Sequence, residues 1–418
     1  MVFANSIMCG KSNSCNKESD VLYKEQEVIM LKFTMNAKDL KEIMRKGMAA
    51  INKKVALDSL RKLYLQVEPD GTVKALGTDM EHFAEIRTNN AFDTSPGVLG
   101  IDIDDIKIIS KMNGEVTLED VSTKTQQRIN IKCGKKIVTI PRYANTDIFL
   151  PAMDDTEAHI ITTTESWLLE TIVNLSSFVA GDDVNKMLNV FNFNTEQKRI
   201  EVLDKRRIAL RSLDSQEIIT VTENPFDTVK LHVKCLSVFK KIMDKKSNAE
   251  VKVYQDKKFI RIVGKDFTYV IRRIDGQYFN IEQMLCDSRD FVFNADREEM
   301  LKIMKYNADM VKEEKKPTIF HSENGKLYTY LQTSRYQAFD EIETKNLVMD
   351  ENLFIRFNSH YLVDTLLVID SENPVFRGSK RNSPMYIDGN EYNFLILPIN
   401  IAGENYIENF RTQLDRAA

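Results

Sequence analysis

The sequence predicts an α+β protein of three similar domains, each with two helices packed on a mostly antiparallel sheet. Three observations predict it: hairpins that recur at an even interval, amphipathic helices at the same place in each interval, and short strands that open and close it. The hairpins are Tyr64–Glu68 with Thr72–Leu76, Val190–Phe193 with Arg199–Leu203, and Thr318–His321 with Lys326–Tyr330. Asp70-Gly71 and Asn324-Gly325 supply the positive φ that tight turns need. The turn centres, near 71, 198 and 325, lie about 127 residues apart, the size of a domain.

Each interval opens with a strand (Leu31–Met35, His159–Thr163, Phe291–Asn294), then a helix starting near Ala37, Glu165 and Asp296. Leu40, Ile43, Met44 and Met48 in the first helix, and Met300, Leu301, Met304 and Ala308 in the third, fall at helical spacing. Asn36, Thr164 and Asn294 are the expected N-caps. After the hairpin comes a second helix, through Ile106, Ile109 and Met112, through Leu236, Phe239 and Met243, and through Leu362, Leu366 and Ile369. Closing strands are Val116–Leu118 with Ile137–Ile140, Val251–Tyr254 with Phe267–Ile271, and Met385–Ile387 with Phe394–Leu397. The expected division is a disordered leader at 1–30, domains at 31–156, 157–288 and 289–402 joined edge to edge, and an extension at 403–418.

Composition limits the function. The 418 residues are 43% hydrophobic and 29% charged, with no apolar run long enough to span a membrane, so a folded cytoplasmic protein is expected. Five scattered cysteines fit neither a disulfide framework nor a zinc site. The net charge is −4, yet residues 36–54 carry six basic residues against two acidic, and residues 230–246 six against one. Helices charged against the overall trend suit contact with phosphates, which depends on salt and not on base sequence. An ordinary solvated helix face is the alternative.

Catalysis finds little support. Gly10-Lys11-Ser12 lacks the upstream glycine and strand of a phosphate-binding loop. The five histidines form no i, i+4 metal pair, and the Asp-Asp pairs at 104–105, 154–155 and 182–183 suit caps and loops. No cofactor or metal is expected.

The sequence resembles the bacterial sliding clamp, the beta subunit of DNA polymerase III, over residues 31–401. The resemblance rests on Leu31-Lys32-Phe33-Thr34-Met35, Leu63–Val67 followed by Gly77-Thr78-Asp79, Ile274-Asp275-Gly276-Gln277-Tyr278, and Phe394-Leu395-Ile396-Leu397-Pro398-Ile399. It implies a half-ring subunit, closed head to tail by a second copy into six domains around duplex DNA, with helices lining the hole. It implies a non-catalytic processivity factor that tethers the polymerase III catalytic subunit, the clamp loader and repair proteins through short hydrophobic motifs. A clamp-like interaction module with altered or lost DNA function is the alternative.

The DNA-facing candidates are Arg45, Lys46, Lys53, Lys111, Lys240, Lys241 and Lys245 among the basic residues of the expected inner helices, and, at positions the resemblance implies, Lys54 and Lys186. Where many clamps have Arg-Tyr-Tyr, the 181–189 loop keeps only Lys186. The partner-peptide pocket would comprise Leu203, Arg207 and Ile208, then Phe279 and Met284, then Leu395, Ile396, Leu397, Pro398 and Ile399. Pattern alone equally allows the last strand to be core. Ring closure would pair Ile137–Ile140 with the third domain's edge around Met310–Phe320, with Val138, Ile140, Met310 and Val311 as contacts. Ile407, Phe410 and Leu414 predict a short amphipathic helix; folding back over the pocket in competition with partners is the hypothesis for its role.

Overall fold

The computed structural model describes residues 31–52, 54, 57–143, 150–285, 289–312, 314, 316–350, 353–379, 382–399 and 406–417. The expected leader at 1–30 lies outside them. Among the described residues the chain three times runs strand, helix, five strands, helix, three strands.

The first set is β1 (Lys32–Asn36), α1 (Ala37–Gly47), β2 (Lys62–Val67), β3 (Val73–Thr78), β4 (His82–Thr88), β5 (Phe92–Ser95), β6 (Gly97–Asp102), α2 (Ile106–Ile109), β7 (Glu115–Asp120), β8 (Arg128–Cys133) and β9 (Lys136–Pro141). The second is β10 (Ala158–Thr164), α3 (Glu165–Leu175), β11 (Val190–Asn194), β12 (Arg199–Leu203), β13 (Arg207–Ser212), β14 (Ile218–Val221), β15 (Val229–His232), α4 (Cys235–Ile242), β16 (Glu250–Gln255), β17 (Phe259–Val263) and β18 (Phe267–Arg272). The third is β19 (Phe291–Ala295), α5 (Arg297–Met310), β20 (Thr318–Glu323), β21 (Lys326–Gln332), β22 (Gln337–Ile342), β23 (Thr344–Val348), β24 (Phe354–Phe357), α6 (Ser359–Val368), β25 (Val375–Gly378), β26 (Met385–Asp388) and β27 (Tyr392–Ile396). Helix α7 (Tyr406–Ala417) follows.

Local chemistry explains the elements. Asn36 Oδ1 accepts from Lys38 N and Thr164 Oγ1 from Trp167 N, as expected for N-caps. At α5 the cap is Asp296, which accepts from Glu299 N at 2.8 Å, not Asn294; Asn294 instead remains in β19, paired with Val375. Gly71, Asn324 and Gly325 hold positive φ in their turns. Helix α2 is a single turn, shorter than the spacing through Met112 predicts.

All strand pairs among the named elements are antiparallel, but each set contributes to two sheets rather than one. The opening and closing strands form β5-β1-β7-β8-β9, β14-β10-β16-β17-β18 and β23-β19-β25-β26-β27. The hairpin strands form β6-β2-β3-β4, β15-β11-β12-β13 and β24-β20-β21-β22. Pairing of β4 with β18, and of β13 with β27, fuses halves of successive sets into two nine-stranded sheets. Helix α1 packs on both halves of the first set, against β1 and β7 and against β3 and β4, and one continuous apolar cluster runs from Phe33 and Leu40 through Trp167 and Phe239 to Phe376 and Phe394.

Candidate nucleic-acid interface and peptide pocket

Helix α1 ends with Arg45 and Lys46, and α4 with Lys240 and Lys241, in the last turns where cations suit the helix dipole. Gly47 lets the end of α1 lie flat on the sheet, since a Cβ there would stand 2.9 Å from Ala75 Cβ. The end of α1 and the turn Met48–Ala50 pack on α4, so Lys241 Nζ reaches the Ala49 carbonyl at 3.4 Å across 192 sequence positions. Arg45, Lys54, Lys240, Lys241 and Lys245 are exposed and Lys46 half-buried. Lys53 lies outside the described residues. Lys111 is exposed just beyond α2, which packs on α1.

Two of these cations are partly committed. Glu42 accepts from Arg45 Nε at 3.0 Å and Nη2 at 2.8 Å and pairs with Lys46 at 3.4 Å; the Arg45 hydrogen bonds hold its carboxyl below the usual range. Lys186 lines a groove of about 560 Å³ between the first two sets. Lys234, Arg272 and Arg273 share that groove with Glu81, Asp182 and Asp275. Sequence reasoning missed Arg272 and Arg273, because only the pairing of β18 with β4 brings them there.

The pocket candidates divide by strand face. Leu203, Ile208 and Leu395 lie together on the outer face, under Tyr278 and Ile281 of the segment linking the second and third sets, with Phe279 packed against them. Leu397 and Met284 stand exposed at the margin, at 37% and 43%. Pro398 and Ile399 are half-buried just beyond β27, where Ile399 N donates to the Arg356 carbonyl at 2.9 Å. Ile396 points the other way, into the main core, and is no pocket wall. Arg207 is also buried: Nε meets Asp204 Oδ2 at 2.8 Å, Nη1 meets Asp364 Oδ2 at 2.6 Å, and Nη2 donates to the Ser177 carbonyl. Its guanidinium lies between the Phe178 and Tyr361 rings, tying β13 to α6. Across the same face runs a groove of about 680 Å³ whose apolar lining includes Leu210, Leu285 and Tyr386, residues the sequence pattern did not single out.

No family model matches the sequence. A Pseudomonas aeruginosa protein named Beta sliding clamp is 22% identical over 375 residues, 88% of this chain and all of the relative. The crystal structure of the Bacillus subtilis DNA polymerase sliding clamp superposes with a TM-score of 0.78 at 18% identity, over 89% of this chain and 99% of that one. A Pseudomonas aeruginosa sliding clamp bound to griselimycin gives 0.77 at 21% identity, over 89% and 100%. This is the sliding-clamp fold.

Within that clamp fold, two strands of this chain differ from their counterparts. Strands β18 and β27 are paired to the hairpin sheet of the preceding set, but the equivalent β9 is a sheet edge; β4 and β13 are paired, but β22 is an edge. The open edge of the third set is therefore β22, not the stretch Met310–Phe320. That stretch ends α5 and enters β20, which lies between β21 and β24. Val311 is buried, and Met310 half-buried at the helix end. On β9, Ile140 is core and Val138 packs against the core, whereas Ile137 faces outward and is 60% exposed.

Helix α7 does not cover the pocket. Phe410 is buried against His321, Tyr328, Phe339 and Phe354, on the outer face of the β24-β20-β21-β22 sheet, and Leu414 packs beside it.

Proposed function

We propose that this chain is a DNA sliding clamp, a non-catalytic processivity factor, with domains at 31–156, 157–288 and 289–402. Two copies close head to tail through β9 and β22 into a six-domain ring around duplex DNA. One observation carries the reading: β9 and β22, both left at sheet edges, are the counterparts of strands that are joined to each other twice within the chain. Pairing them between copies repeats an existing joint and removes two exposed edges. The α1–α4 lysines would then face phosphates without reading bases, which permits sliding. Leu203, Ile208, Phe279, Met284, Leu395 and Leu397 offer an apolar site for short motifs of the polymerase catalytic subunit, the loader and repair proteins, with modest, exchangeable affinity.

The test is retention on nicked circular DNA after loading. A clamp stays bound until the circle is cut and then runs off the end; dissociation at the same rate from circle and linear DNA would overturn the proposal. The 181–189 loop, with Lys186 in place of a fuller basic-aromatic set, favours as second reading a clamp-like module with altered DNA contact.

A further inference from the structure

The proposed ring leaves open how one edge recognises the other, and the two joints inside the chain supply a template. Each hairpin sheet enters its last strand through the same turn. Asp79 Oδ1 accepts from His82 N at 2.8 Å, Asp204 Oδ1 from Arg207 N at 3.1 Å, and Thr333 Oγ1 from Tyr336 N at 2.8 Å. In each, the first residue's N–H also donates to the carbonyl of the fourth. Ala84, Ala209 and Ala338 are therefore equivalent, and they face Gly77, Val202 and Leu331 across the sheet.

The closing hairpins match as well. Gly264 N donates to the Phe267 carbonyl and Gly389 N to the Tyr392 carbonyl around two-residue turns, and Cys133 pairs with Lys136 around Gly134-Lys135. This makes Phe267, Tyr392 and Lys136 equivalent. Both internal joints use one register: Ala84 opposite Tyr269 with Ile86 opposite Phe267, and Ala209 opposite Phe394 with Arg211 opposite Tyr392.

We propose that the seam between two copies keeps this register, Ala338 opposite the other copy's Val138, and is coded by charge, with Asp340 set directly against Lys136. Phe339 then meets Ile137 on the outer face. The opposed pair occurs only at the joint that must form between molecules; the same positions inside the chain carry Ile86 with Phe267 and Arg211 with Tyr392.

The isolated edge is consistent with this partner. Asp340 lies on the inner face opposite buried Thr329, and among the described residues its carboxyl has no hydrogen bond or ion pair; burial alone raises its pKa. Lys136 is exposed. An inward-pointing charge on an edge strand deters indiscriminate pairing, and the opposite charge in register admits the right one. Helix α7 braces the receiving edge, with the Phe410 ring tilted against Phe339 at 5.5 Å between centroids and Gln413 Nε2 donating to Gln337 Oε1 at 3.1 Å.

This inference rests on the ring, and one experiment separates the two. Mass is measured against concentration for the full chain and for Asp340→Lys, Lys136→Asp and the double swap, with Trp167 fluorescence checking the fold. Each single reversal places like charges opposite and is expected to weaken the dimer at least tenfold; the double swap is expected to restore it to within about threefold. A double swap no better than the single variants overturns the register. Should a reversal unfold the chain, Asp340→Asn and Lys136→Met replace it: both must weaken the dimer, and non-additively, or the pair is refuted. A wild-type chain that stays monomeric throughout overturns the ring itself.

Discussion

Truncating Arg207 to alanine should loosen the joint between the second and third sets. The side chain is 7% exposed and makes three charge-assisted bonds, to Asp204, Asp364 and the Ser177 carbonyl, between two aromatic faces. Removing one member of a buried ion network costs about 3–5 kcal/mol, because the carboxylates left behind lose their counter-charge. Asp364 is 34% exposed and regains water, so the expected loss is about 2–4 kcal/mol. Trp167, the single tryptophan, sits under Arg211 at the same joint, 4.5 Å from ring centroid to guanidinium, and reports on it. In urea followed by Trp167 fluorescence, an m-value of about 2 kcal/mol/M would put the midpoint roughly 1–2 M lower. Arg207→Ala combined with Asp364→Ala should lose less than the sum of the singles. A midpoint unchanged within 0.2 M, on the order of the noise in such extrapolations, would refute the assignment of Arg207 as a bridge.

Three further outcomes are expected. Replacing Lys54, Lys240, Lys241 and Lys245 by alanine should flatten the dependence of DNA affinity on log salt by up to about 0.9 per lost phosphate contact, with the fold intact; an unchanged slope would place these lysines away from DNA. His82 is held below its ordinary pKa of 6.5 chiefly by burial, with its Nδ1 2.5 Å from the Tyr269 hydroxyl. The unfolded chain then binds the proton more readily, so stability is complete above 6.5 and falls as pH drops from there toward the folded pKa; His232 is shifted the same way, also by burial. The double variant His82→Gln, His232→Gln should flatten thermal stability across pH 5.5–7, and an unaltered slope would count against it. Deleting residues 403–418 should leave peptide affinity at the pocket unchanged while exposing Tyr328 and Phe354 to a hydrophobic dye; weakened or strengthened peptide binding would return α7 to the pocket.

The local order was legible in sequence. Asn-Gly and Asp-Gly turns, caps at Asn36 and Thr164, and apolar spacing in α1 and α5 act over a few residues, so the sequence placed those elements within a residue or two of their observed bounds. The basic bias of α1 and α4 was equally a matter of composition. Strand partnership was not legible, since β4 with β18 and β13 with β27 join segments about 190 positions apart, and no local pattern names a distant partner. Hence the single sheet expected per domain became two, some fused with a sheet of the neighbouring set, Arg207 became a buried bridge, and the open edge moved to β22.

What the chain alone determined was its threefold period, its helices and where positive charge is concentrated, because turn chemistry and amphipathic spacing are written residue by residue. Only the tertiary structure decided which edges stay unpaired, which face of β27 carries Leu395 rather than Ile396, and which surface α7 covers. Those outcomes depend on how buried area and backbone pairing are shared among distant segments, a competition settled only when all of them are packed together.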